Sequence, residues 1–127
     1  MALERILYAE DEPDIQAVAK LALEMLGGFT VLICGNGHEA LAKVKDFAPD
    51  LILLDVMMPG MDGPTTLEKL RADPATAGIP VIFLTAKVQP AEVAQYQSLG
   101  ALNVIAKPFD PMTLAAQVKQ VWSLSNG

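Results

Sequence analysis

Cysteine is almost missing from this chain. Cys34 stands alone among 127 residues, which excludes an intrachain disulfide. It ends an apolar run and reads as a small core side chain, the usual place for a free cysteine. No apolar stretch approaches the roughly 18 residues that a membrane-spanning helix needs. The opening Met1-Ala2-Leu3-Glu4-Arg5 also lacks the apolar core of a signal peptide. The expectation is a soluble, cytoplasmic protein with no membrane partner. Basic residues are scarce, 9 Lys and Arg against 15 Asp and Glu, for a formal charge of −6. Direct nucleic-acid binding needs clustered positive charge and is set aside. Internal repeats, charge blocks and low-complexity tracts are missing too. Histidine occurs once, as His38 in an Asn36-Gly37-His38-Glu39 turn. It reads as exposed and structural, pointing away from any site.

What is present suffices for one covered core. Hydrophobic residues make up 52% of the chain, and the length suits a single domain. The expected layout is one domain over 1–127, with a core of about 3–123 and a polar tail at 124–127. Short apolar runs bounded by polar and turn residues read as buried strands near 4–9, 29–34, 50–55, 80–85 and 103–106. Helices are predicted between and after them, near 13–26, 37–47, 64–73, 90–99 and 111–123. Five β-α units with right-handed crossovers make an α/β fold, a doubly wound five-stranded parallel sheet.

Caps and stripes support the helices. Pro13 suits the first turn of the first helix and Gly27-Gly28 ends it. Ile15, Val18, Ala22, Met25 and Leu26 are expected to form its buried face. Asn36 is the predicted cap of the second helix, with Ala40, Leu41, Val44 and Phe47 as its stripe. Asp110 is the predicted N-cap of the last helix, with Pro111 at its first position and Phe109 stapled onto Leu114. Leu114, Val118, Val121 and Trp122 then line its buried side.

The chemistry gathers at the carboxyl ends of the apolar runs, where open α/β sheets bind their ligands. Glu10 and Asp11 follow the first run, Asp55 the third, Thr85 the fourth and Lys107 the fifth. The first βα loop reads Ala-Glu-Asp-Glu-Pro-Asp, which repels a bare phosphate but suits a hard cation with oxygen ligands. Clustered carboxylates raise one another's pKa unless a cation intervenes, a reason to expect Mg²⁺. A carboxylate so neutralised and oriented is able to attack phosphorus and form an aspartyl phosphate. Lys107 offers a point charge to phosphoryl oxygens, Thr85 offers a hydroxyl, and the small Ala86 leaves the entrance open.

These pieces resemble the receiver domain of two-component response regulators, the CheY-like fold. The resemblance covers Leu3 to about Ser123. It rests on Glu10-Asp11, on Asp55 with Met58-Pro59-Gly60-Met61-Asp62-Gly63, on Leu84-Thr85-Ala86, and on Lys107-Pro108-Phe109. It implies a (βα)5 sheet in the flavodoxin-like order 2-1-3-4-5. It implies that Asp55 accepts a phosphoryl group from a sensor histidine kinase, a histidine phosphotransfer protein or a small acyl phosphate. Asp11, Asp55 and the Met57 carbonyl would bind Mg²⁺ directly, and Glu10 would act through a metal-bound water. Lys107 would contact the phosphoryl group, with Lys107-Pro108 cis, and Thr85 would swing toward it. A downstream protein or a fused output domain outside this chain would read the result. Beyond phosphoryl transfer to itself and slow autodephosphorylation, no enzymatic activity is implied.

The chain departs from the family pattern in places. Glu10 stands where Asp is also common. Val104 occupies the position of the usual aromatic partner of the threonine, so the switch is expected to run through Thr85, Ala86, Lys87 and Val88 instead. Leu102-Asn103 replace the acidic pair of transcription-factor receivers, which argues against their symmetric dimer. Three other readings fit the residues less well. A phosphorylation-independent module on this fold usually loses an acid or the lysine, and both are kept here. A haloacid-dehalogenase-type hydrolase needs a second Asp two residues after the nucleophile, where this chain has Met57. A flavodoxin would have a first loop rich in Ser, Thr and Gly.

Overall fold

The computed structural model describes residues 2–126. Strands β1 (Arg5–Ala9), β2 (Thr30–Cys34), β3 (Leu51–Asp55), β4 (Val81–Thr85) and β5 (Asn103–Ala106) alternate with five helices. These are α1 (Pro13–Met25), α2 (Gly37–Phe47), α3 (Gly63–Ala72), α4 (Pro90–Ser98) and α5 (Leu114–Asn126). The strands form one parallel sheet in the order β2-β1-β3-β4-β5. This is the expected doubly wound α/β topology.

Side chains alternate across each strand, so the sheet sorts its residues into two layers. Ile6, Tyr8, Leu51, Leu53, Ile82, Leu84 and Ile105 pack with Ala19 and Leu23 of α1 and Leu114, Val118 and Trp122 of α5. Leu7, Ile52, Leu54, Val81 and Phe83 pack on the other side with Ala40 and Val44 of α2, Leu67 and Leu70 of α3, and Tyr96 of α4. Full burial of each such aliphatic side chain contributes about 1.5–3 kcal/mol. Cys34 is buried, as expected.

Two expectations need correction. The buried face of α1 is Ala19, Ala22 and Leu23, whereas Val18, Met25 and Leu26 are exposed. The helix is apolar on more than one side, so two stripes fit a 3.6-residue period. The small Ala19 and Ala22 let the backbone approach the sheet, and that stripe wins. The last helix starts at Leu114 rather than 111 and runs to Asn126 rather than 123. The Asp110 carboxylate accepts from the Met112 N–H and closes a turn over Pro111–Thr113, ahead of the helix. Residues 124–126 of the expected tail are therefore helical, and residue 127 lies outside the described residues.

The Asn36 cap is as expected, and Asp62 caps α3 in the same way. Asn36 Oδ1 accepts from Glu39 N–H at 2.8 Å and Asp62 Oδ1 from Thr65 N–H at 2.8 Å. Helix α2 ends on Ala48 in the left-handed region at φ 52°. At the lower edge of the sheet, Asp50 Oδ2 accepts from the N–H groups of Glu4 and Arg5 at 3.0 and 2.9 Å. The Arg5 guanidinium lies 4.1 Å from the centroid of Phe47. These contacts tie the start of β1 to the start of β3 and leave the upper edge open.

Candidate functional site

The alternation that sorts the core also aims the site. Tyr8 and Glu10, Leu53 and Asp55, and Ile105 and Lys107 are pairs two residues apart, whose first members lie in the layer covered by α1 and α5. Glu10, Asp55 and Lys107 continue that parity past or at the strand ends and meet there. Thr85 shares its parity with Val81 and Phe83, so it belongs to the opposite layer, the one α4 covers. Asp55 is held at its place by close backbone approach. A Cβ on Gly63 would come within 2.6 Å of the Asp55 carbonyl oxygen, so only glycine lets α3 start so near the end of β3.

Lys107 organises the centre. Its Nζ donates to Glu10 Oε1 at 2.9 Å and pairs with Asp55 Oδ2 at 3.2 Å. Glu10 is fully buried, and Asp55 is buried beside it. Glu10 Oε1 also accepts from the Tyr8 hydroxyl at 3.3 Å, and Oε2 from the Glu12 N–H at 3.3 Å. Glu10, Asp11 and Asp55 each offer an oxygen within 4.8 Å of the others.

The electrostatics follow from this arrangement. Burial and the neighbouring Glu10 charge push the Asp55 carboxyl up to about 6, against the pull of Lys107. Burial pushes Glu10 up as well, but the bonds from Lys107 and the Glu12 N–H outweigh it and hold the carboxyl low. Glu10 collects three donors while Asp55 leans on Lys107, so a proton shared between them rests on Asp55. Burial pulls the Lys107 ammonium down, yet the two carboxylates raise it further and keep it charged.

Three carboxylates thus face one ammonium, an excess of negative charge on hard oxygen donors. That donor set fits a dication of the Mg²⁺ or Ca²⁺ class. Asp55 fits such an ion: burial first and the Glu10 charge second raise its carboxyl, and a bound cation would offset both.

A cleft of about 300 Å³ opens above Asp55, lined also by Met57, Thr85, Ala86, Tyr96 and Lys107. Thr85 is buried, and its Oγ1 accepts from the Lys87 N–H at 3.1 Å. Ala86 and Met57 are exposed at the rim. The Lys107–Pro108 peptide is cis. His38 is exposed at the start of α2. Every sequence-chosen residue therefore lies at this edge, and three others join them. Tyr8 and the Glu12 N–H were missed, although the two-residue spacing of Tyr8 and Glu10 at the end of β1 was a usable signal. Tyr96 was missed because only the docking of α4 brings it in, with its ring edge-on to Phe83 at 5.2 Å.

Comparison with known proteins agrees with this geometry. Residues 6–119 match the response regulator receiver domain. The chain is 38% identical over 116 residues to the DNA-binding response regulator MtrA of Mycolicibacterium smegmatis, covering 91% of this chain and 49% of that protein. It is 40% identical over 121 residues to the phosphate regulon transcriptional regulatory protein PhoB of Pseudomonas aeruginosa, covering 95% of this chain and 52% of that protein. It thus spans about half the length of these curated relatives. Chemotaxis response regulator CheY4 of Vibrio cholerae superposes with a TM-score of 0.86 at 28% identity, over 94% of this chain and 99% of that one.

Proposed function

The chain belongs to the response regulator receiver-domain family of two-component signalling, and from that premise we propose that Asp55 is its phosphoacceptor. The carrying observation is Lys107 set 3.2 Å from Asp55 and 2.9 Å from Glu10, under an open cleft at the strand ends. In the proposed step an Asp55 carboxylate oxygen attacks the phosphorus of a phosphohistidine on a sensor kinase or phosphotransfer protein. The O–P bond forms as the P–N bond breaks, and the imidazole leaves with its electron pair. A Mg²⁺ bound by Asp11, Asp55 and the Met57 carbonyl would neutralise the crowded negative charge during this transfer. Glu10 orients that site through water, and Lys107 turns to the arriving phosphoryl oxygens. Thr85 exchanges its bond to the Lys87 N–H for one to the phosphoryl group, which moves the loop over Ala86, Lys87 and Val88.

The reading extends to what surrounds the site. Met57 stands two residues after Asp55, where a phosphatase would need a general acid. So the protein is a switch with slow autodephosphorylation and not an enzyme acting on external phosphate esters. No described helix is long and apolar enough to cross a membrane, which supports a cytoplasmic site of action. The listener is a protein target or an output domain outside this chain. Incubation with a small acyl phosphate and Mg²⁺ should add the mass of one phosphoryl group. Asp55→Asn should abolish the gain, and phosphorylation retained in that variant would overturn the assignment.

A further inference from the structure

We propose that Tyr8 is a positioning residue for this site, acting through Glu10. The inference rests on the reading of Glu10, Asp11 and Asp55 as a cation site. Tyr8 is fully buried in the α1/α5 layer, and its ring is core packing. Its hydroxyl is not idle: it reaches Glu10 Oε1 at 3.3 Å, on the same oxygen that Lys107 holds at 2.9 Å. Glu10 follows β1 directly and keeps the parity of Tyr8, so the tyrosine is built to meet whatever stands two positions on.

The reason for such a tether lies in Glu10 itself. A glutamate carries one more torsion than an aspartate, and its carboxylate sweeps a wider volume unless it is held. Lys107 holds it now, but Lys107 also serves Asp55 and is the group that must turn toward an arriving phosphoryl oxygen. Without a second side-chain donor, Glu10 would then keep only the Glu12 N–H on its other oxygen. The Tyr8 hydroxyl has no second task. Burial and the charges of Glu10 and Asp55 hold its proton on, so it remains a donor. Groups that orient ligand-bearing side chains in this way typically change metal affinity about 10–100-fold when removed.

The test is Tyr8→Phe, which keeps the ring and removes the hydroxyl. Amide chemical-shift titration with Mg²⁺ should show affinity weakened about tenfold, while denaturant stability of the metal-free protein changes little. In a Glu10→Asp background, whose shorter arm withdraws from Tyr8, the same substitution should leave Mg²⁺ affinity unchanged. Unaltered affinity in Tyr8→Phe, or an equal loss in the Glu10→Asp background, would overturn the proposal. A metal-free measurement stands apart from the cation reading. The Glu10 Cδ resonance should move in Tyr8→Phe while the Asp110 Cγ resonance stays, and an unmoved Glu10 resonance would also overturn it. If the wild-type protein itself takes up no Mg²⁺, the cation reading fails, and the Glu10 resonance alone decides whether Tyr8 positions that carboxylate.

Discussion

Asp55 carries a cost that can be measured. Its carboxyl titrates near 3.9 in an unfolded chain but is pushed up to about 6 in the fold by burial and Glu10. A group whose folded pKa is raised contributes stability that is full below its unfolded value and lost as pH rises through the folded one. So ionised Asp55 destabilises the metal-free protein at neutral pH. Asp55→Asn is expected to be more stable than wild type by about 2–3 kcal/mol at pH 7, with the gap closing as pH falls from 7 toward 4. Saturating Mg²⁺ should also close it. Urea melts across that range check this, and equal stability at pH 7 would contradict it. At this scale the sequence was highly legible, because Glu10, Asp55, Thr85 and Lys107 each end an apolar run and a parallel sheet collects such ends. Tyr8 was hidden by its own hydrophobicity: a tyrosine inside a strand reads as core, and here it is core and hydrogen-bond donor together.

Elements were legible where local chemistry decides their ends and less so where packing does. Asn36 and Asp62 cap as their residue types predict. Asp110-Pro111 carries the same signal, yet the aspartate closes a turn and the helix waits for the buried Leu114. Ala48 marks a place where the chain accepts strain. It ends α2 with φ at 52° and is exposed, and a residue with a Cβ in that region loses roughly 1–2 kcal/mol. Ala48→Gly should therefore raise stability by about 0.5–1 kcal/mol, read as a higher denaturation midpoint. Helix α4 is the least firmly seated, with no fully buried residue and Tyr96 edge-on to Phe83 as its anchor. Val104 packs in the same layer but has a single stiff torsion. Thr85→Ala should thus blunt the chemical-shift response of the loop and α4 to a phosphoryl mimic, whereas Val104→Ala should keep most of it. The reverse pattern would show that the response runs through β5.

For the whole molecule, alternation of strands and helices fixed the fold class, but the strand order came from the resemblance and was confirmed by the sheet. Which stripe of α1 faces inward depends on fit against the sheet, a property of the assembled layers that no window of sequence contains. A cation held by the acidic cluster would tie global stability to its binding. Millimolar Mg²⁺ should raise the melting temperature by several degrees, since a ligand bound only to the folded state stabilises it. Asp11→Ala should remove that gain, and a wild type indifferent to Mg²⁺ would count against the cluster as a cation site. The division of the sheet into two layers has one more consequence. Glu10, Asp55 and Lys107 extend one layer and Thr85 extends the other. Asp55, Thr85 and Lys107 nonetheless line one cleft at the strand ends. A group seated in that cleft would touch side chains rooted in both layers, so a single binding event there would be felt on both faces of the sheet.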